Sequence, residues 1–295
     1  MTQKIIDFDN FSPVVRKLYH FMSPCILCPR KCGVDRIAGE KGYCAVGPEP
    51  RVSSASSHFG EESILVGRGG SGTIFFAGCN LGCIFCQNYR VSHQCIGDEI
   101  TVHQLADTML DLQVRGCENI NLVSPTHQIP PIAAAIEDAH KRGLTLPIVY
   151  NSGGYDCANT LSLLEGLIDI YMPDMKYSNV QHGLQYSDVG DYPGINYSAV
   201  KEMYRQVGDL QVENGIALKG LIVRHLVLPH DLAGSTAIID FLASQVSPHA
   251  AINIMDQYYP AYHAGEYEEL CTSPQADEIA KVKEYAHKKG LRIID

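Results

Sequence analysis

From Ser71 onward, short runs of β-branched and apolar residues alternate with amphipathic helical patterns, and this alternation constrains the fold more than any other feature of the 295-residue chain. Strands joined through helices run parallel, because each crossover returns the chain to the same end of the sheet. The expected strands are 73–77, 119–123, 147–151, 168–173, 221–228 and 251–255, with a short seventh at 291–294. Six βα units suit a partial (β/α)6 TIM-type barrel within an α/β class. Thr101 and Gln104 form a capping-box pattern, Leu105, Met109 and Leu112 follow at helical spacing, and Gly116 supplies a stop. Val200, Met203, Tyr204 and Val207 repeat the pattern, as do Ile279, Val282, Tyr285 and Ala286 after Ser273-Pro274. The stretch 176–195 exceeds an ordinary connection and reads as a functional loop.

Residues 1–70 read differently from 71–295, which sets the expected domain division. This first stretch carries Cys25, Cys28, Cys32 and Cys44 among many Gly and Pro, with one short helix expected at 12–21. Four thiolates so close in sequence can enclose a metal, whose binding replaces the folding energy that a small core lacks. Zinc usually takes two separated Cys-x-x-Cys pairs, whereas C-x2-C-x3-C with a distant fourth Cys is nearer to iron–sulfur spacing. Both stay open. A cluster there can pass electrons or meet substrate, and a zinc ion is a structural clasp.

The segment from Gly78 to Tyr89 places Cys79, Cys83 and Cys86 at C-x3-C-x2-C directly after the first barrel strand. Three thiolates converging from one loop leave one coordination position free. That is a defect in a structural zinc site but exposes one iron of a cubane cluster to a small ligand. A zinc ion completed by a remote ligand is the alternative. Asp174 and Lys176, two apart on a strand, share a face, and Arg224 among Ile222, Val223, Leu226 and Val227 needs an anionic partner. His127 and His263 are further candidates. The formal net charge of −10, from 23 Lys and Arg against 33 Asp and Glu, with no basic block, argues against nucleic acid as the main partner. No apolar run approaches a membrane span, and the first residues lack the order of a signal peptide, so a cytoplasmic protein is expected. Eleven clustered Cys then point to metal ligation rather than disulfides.

The Cys loop, with Phe85 just before its third Cys, resembles the radical S-adenosylmethionine (SAM) superfamily over residues 71–295. The resemblance implies a [4Fe-4S] cluster on Cys79, Cys83 and Cys86, SAM chelated at the open iron, and one-electron cleavage to a 5′-deoxyadenosyl radical. More narrowly, Asp174-Met175-Lys176, Arg224 and the segment Tyr259-Pro260 to Tyr262-His263 are similar to activating enzymes of glycyl-radical enzymes, of the pyruvate formate-lyase activating type. That likeness implies catalytic roles near SAM for Asp174, Lys176 and Arg224, and Phe85, Ser124, Thr126 and Asn151 are further candidates to bind the cofactor. The chain departs from those activases at two strand ends. Ser124-Pro125-Thr126-His127 stands where they carry Gly-Gly-Glu-Pro, offering hydroxyls and carbonyls but no carboxylate. Asn151-Ser152-Gly153-Gly154 stands in place of Asp-Thr-Asn-Gly. The implied partners are a flavodoxin or ferredoxin as low-potential donor and a glycyl-radical protein. The alternatives are radical modification of a small molecule or peptide, and a non-catalytic metal-binding or electron-transfer module.

Overall fold

A computed structural model describes residues 11–295. In chain order its strands are β1 (Arg51–His58), β2 (Ser71–Phe76), β3 (Asp98–Glu99), β4 (Ile120–Val123), β5 (Ile148–Ser152), β6 (Ile170–Pro173), β7 (Gln211–Glu213), β8 (Ile216–Leu226), β9 (Ala251–Met255) and β10 (Arg292–Ile294). The sheet order is β10-β9-β8-β6-β5-β4-β2-β1-β3, with β7 folded antiparallel onto β8. Every neighbouring pair from β2 to β10 is parallel, which gives the partial barrel that the alternation called for. All seven expected strands are present. They read as apolar runs because parallel strands are covered on both faces; all five residues of β5 are buried.

The longer helices are α1 (Pro13–His20), α2 (Val102–Val114), α3 (Ile129–Lys141), α4 (Val180–Ser187), α5 (Tyr192–Val207), α6 (Ser235–Phe241) and α7 (Ala276–Lys288). The capping box of α2 is formed: the Gln104 N–H donates to Thr101 Oγ1 at 3.1 Å, and the Thr101 N–H donates to Gln104 Oε1 at 2.8 Å. Its buried face is Leu105, Ala106, Met109 and Leu112. Burying a Leu or Met of this kind contributes about 1.5–3 kcal/mol. Among the described residues no helix is long and apolar enough to cross a membrane.

Two expectations are corrected. The stretch 176–195 is not a long loop, since it contains α4 and the start of α5. Asn179 caps α4 by accepting the Gln181 N–H at 2.7 Å, and Pro193 sits in the first turn of α5, signals that the weak apolar period of this stretch concealed. Within 1–70, Arg51–His58 is not part of a loop-rich lobe but strand β1, paired antiparallel with β2. Its Arg-Val-Ser-Ser-Ala-Ser-Ser-His sequence has no apolar alternation to announce a strand.

The connection from β1 to β2 tucks into the barrel. Leu65 is fully buried against Val149, Ile170, Ile222 and Ala251. The Asn119 side-chain amide donates to Leu65 O at 2.7 Å, the Asn253 amide donates to Glu62 Oε1 at 2.9 Å, and the Ser63 N–H donates to Asp295 O at 3.1 Å. On the outside, Val15, Leu18 and Tyr19 of α1, with Met22 and Leu27, join the same apolar core as α2 and α3.

Candidate cofactor site at the barrel mouth

The chain leaves β2 and turns at Gly78, whose φ of +82° suits a residue without a Cβ, to enter the loop holding Cys79, Cys83 and Cys86. Backbone hydrogen bonds fix this loop from two sides. The Gly82 and Ile84 N–H groups donate to Ser187 O and Tyr186 O of α4, each at 3.0 Å, and the His263 N–H donates to Ile84 O at 2.8 Å. The segment 176–195 therefore serves the site by bracing it.

Each sulfur in the loop has a hydrogen-bonding partner. The Leu81 N–H donates to Cys79 Sγ at 3.4 Å, the Ser187 hydroxyl donates to Cys83 Sγ at 2.9 Å, and the Ser92 hydroxyl lies 3.1 Å from Cys86 Sγ. Burial, reinforced by Cys83, pushes the metal-free Cys79 thiol up to about 12. Binding a metal centre must therefore release protons from this loop. Three thiols, Cys83 buried and Cys79 and Cys86 half-buried, each with a hydrogen-bonding partner and beside the Lys176 ammonium that acts on Cys83, fit an iron–sulfur cluster.

One cavity holds the three thiols together with Phe85, Asp174, Lys176 and Arg224, and its wall includes Ser124, Thr126 and Asn151. The structure thus brings these ten residues, though not His127 or His263, to one place at the strand ends. Asp174 is the hub. Lys176 Nζ lies 2.6 Å from Asp174 Oδ2, and Arg224 Nε lies 3.1 Å from Asp174 Oδ1. Burial alone would raise the Asp174 carboxyl, but Lys176 and Arg224 outweigh it and hold the group below the usual carboxylate range. Helix α5 supports this hub from behind, since the Tyr192 hydroxyl accepts the Lys176 N–H at 3.1 Å and the Asn196 amide donates to Asp174 O at 2.9 Å. Phe85 stands edge-on to Tyr177 and Tyr258. Ser124 adopts φ +59°, a conformation costly for a residue with a Cβ and tolerated where the surrounding structure imposes it.

Two carboxylates were missed in the sequence. Glu61 reaches the cavity from the β1–β2 connection and lies 3.6 Å from Arg224 Nη1, a meeting that only the fold creates. Asp156 is buried below the cavity wall and accepts hydroxyls from Thr126 at 2.7 Å, Ser152 at 2.7 Å and Tyr150 at 2.8 Å. Burial raises its carboxyl above the ordinary range, while the three hydroxyls pull it back. Because Thr126 and Ser152 spend their protons on Asp156, they turn only lone pairs toward the cavity. A carboxyl group thus lies one layer beneath Ser124–His127, where the sequence itself has none. Asp156→Ala leaves three buried hydroxyls without an acceptor and is expected to lower the unfolding free energy by about 1–3 kcal/mol in urea denaturation. An unchanged midpoint would contradict this role.

The two histidines lie elsewhere. His127 is buried with Nε2 2.9 Å from Ala77 O, and burial brings it down to about 4, so its ring is neutral. His263 is exposed and paired with Glu266 at 2.5 Å. Cys25, Cys28, Cys32 and Cys44 line one cavity with Arg30, Arg36 and His127.

A family model of the radical SAM superfamily matches residues 73–230, more than half of the chain and spanning the Cys loop and the Asp174–Arg224 hub. The chain belongs to the radical SAM superfamily. Membership implies reductive cleavage of SAM at a [4Fe-4S] cluster. An uncharacterised protein of Methanocaldococcus jannaschii is 31% identical over 313 residues, covering 99% of this chain and 86% of its own length. Among solved structures, a radical SAM methyltransferase from Sphaerobacter thermophilus has a TM-score of 0.53 at 13% identity, over 75% of this chain and 64% of that one. Streptococcus suis SuiB has a TM-score of 0.51 at 10% identity, over 74% of this chain and 46% of that one. At these identities the likeness is one of fold, and this radical SAM chain spans less than two thirds of either structure.

Proposed function

We propose that this radical SAM protein holds a [4Fe-4S] cluster on Cys79, Cys83 and Cys86, binds SAM against it, and abstracts hydrogen from a protein or peptide substrate, in the manner of a glycyl-radical activating enzyme. The observation that carries this reading is the single cavity that joins the three thiols to the Asp174–Lys176–Arg224 hub. SAM and the cluster supply the chemistry when bound, one-electron cleavage giving methionine and a 5′-deoxyadenosyl radical. The chain's own residues position and shield. Lys176 and Arg224, charged and partly shared with Asp174, suit the carboxylate and ribose of SAM, whereas the lone pairs of Thr126 and Ser152 suit its ammonium. Phe85, Tyr177 and Tyr258 keep water from the loop. A flavodoxin or ferredoxin serves as the external donor, and the N-terminal thiols hold a second metal centre, iron–sulfur or zinc.

Anaerobically reconstituted protein with SAM and a reductant is expected to release 5′-deoxyadenosine and methionine in equal amounts. No 5′-deoxyadenosine would overturn the reading. Addition of a glycyl-radical protein is then expected to give a glycyl EPR doublet. 5′-Deoxyadenosine without that doublet would favour a different peptide or a small molecule, and a peptide substrate has a precedent of fold in SuiB with its precursor peptide SuiA bound.

A further inference from the structure

We propose that the cavity between the β1–β2 connection and strands β9 and β10 is a substrate subsite for an ammonium group on a short alkyl stem; this deepens the radical SAM reading above and rests on it. The cavity, of about 360 Å³, is lined by none of Cys79, Cys83 and Cys86. It meets the cofactor cavity at Glu61, Arg224, Met255 and Gln257, which stand in both walls. A group seated there is held beside the place proposed for SAM.

The wall of this cavity is short of positive charge. Glu62 is 4% exposed, and Asn253 donates to only one of its carboxylate oxygens, Oε1, at 2.9 Å. Glu62 Oε2 is buried without a partner. A buried carboxylate oxygen left unanswered is costly. The neighbouring Glu61 side chain is 8% exposed and lies 3.6 Å from Arg224, which is closer to Asp174 at 3.1 Å. One guanidinium thus serves Asp174, Glu61 and Glu62. Burial raises the Glu61 carboxyl above its ordinary range and Glu62 adds to this, while Arg224 opposes it. Asp256 and Asp295 bring two exposed carboxylates to the wall, and Lys283 is its one further cation. Four carboxylates therefore face two cations, one of them already engaged by Asp174. A cation from outside completes the balance.

The rest of the wall selects shape. Ile254, Met255, Ile293 and Ile294 give the cavity an apolar side. A flexible alkyl stem lies along such a surface while its charged end reaches the carboxylates, as a lysine side chain does. An ammonium, with three donors, can answer Glu62 Oε2 and Glu61 together. A lysine within a polypeptide and a free alkylamine share this chemistry.

Binding to anaerobically reconstituted protein, without reductant, tests the proposal. Saturation-transfer NMR titrations use Nα-acetyl-lysine amide, n-pentylamine and the uncharged Nα-acetyl-norleucine amide. At least one amine is expected to bind about ten- to a hundredfold more tightly than the norleucine compound, as a charge-assisted hydrogen bond allows. Tighter binding of the lysine amide than of n-pentylamine identifies a polypeptide as the source, and the reverse a small amine. Glu62→Gln, whose side-chain carbonyl still accepts from Asn253, is expected to remove the preference for charge, and Lys283→Met to increase it. Equal binding of charged and uncharged probes, no binding, or a preference that survives Glu62→Gln overturns the proposal. SAM at saturation is expected to leave the amine in place; its displacement would assign the carboxylates to the ammonium of SAM itself and also overturn the proposal. None of these measurements requires SAM cleavage, so failure here is distinct from an absence of 5′-deoxyadenosine.

Discussion

Cys83→Ala is expected to abolish 5′-deoxyadenosine formation and to remove the cluster from the barrel mouth. The three thiols arrive on one short loop, so the loss of one leaves two protein ligands for four irons. The effect should exceed the roughly 10–100-fold typical of changes around a metal ligand. Ser187→Ala provides that milder comparison, because it removes only the hydroxyl 2.9 Å from Cys83 Sγ. Cys271→Ser is the control: the residue is exposed, and its thiol bonds only to backbone carbonyls of its own loop. Iron content and 5′-deoxyadenosine, measured together, check the series. Wild-type turnover in Cys83→Ala would remove the loop from the reaction.

Asp174→Asn is expected to cost about 3–5 kcal/mol of folding stability, because it removes the carboxylate that pairs with the largely buried Lys176 and leaves Arg224 only the longer contact with Glu61. It should also weaken SAM binding through loss of their alignment. The sign with pH follows from the depressed carboxyl. The ionised pair is complete above the ordinary aspartate value of about 3.9 and is lost only as pH falls below it, so the wild type should show no titration of this pair near neutrality. Replacing Arg224 by Met in the same chain should recover part of the loss, since the two residues share one network. Urea denaturation of the single and double variants decides this; an additive result would deny the coupling.

Much of this site was legible from residues alone, for physical reasons. A buried parallel strand needs apolar side chains on both faces, so each barrel strand stands out from its surroundings. The Cys loop is local, and its spacing carries its chemistry without reference to the rest of the chain. Glu61 could not be read this way, because its meeting with Arg224 depends on a connection entering the barrel. Asp156 is hidden for a related reason: it lies beneath the strand-end positions and bonds to Thr126 and Ser152, a depth that spacing along the chain does not encode. Strand β1 was hidden by its serines, and α4 by a weak apolar period. His127, adjacent to the cofactor wall in sequence, turns the other way because its ring bonds to Ala77 O.

The buried Arg36 guanidinium, held by His127 O and Gly47 O, carries a consequence for modularity. The loop it grips also contains Ser124 and Thr126 of the cofactor wall. A barrel cut from its N-terminal segment, or grafted behind a different one, would lose the contact that sets the floor of its own binding site. The two parts can therefore be exchanged only as a matched pair.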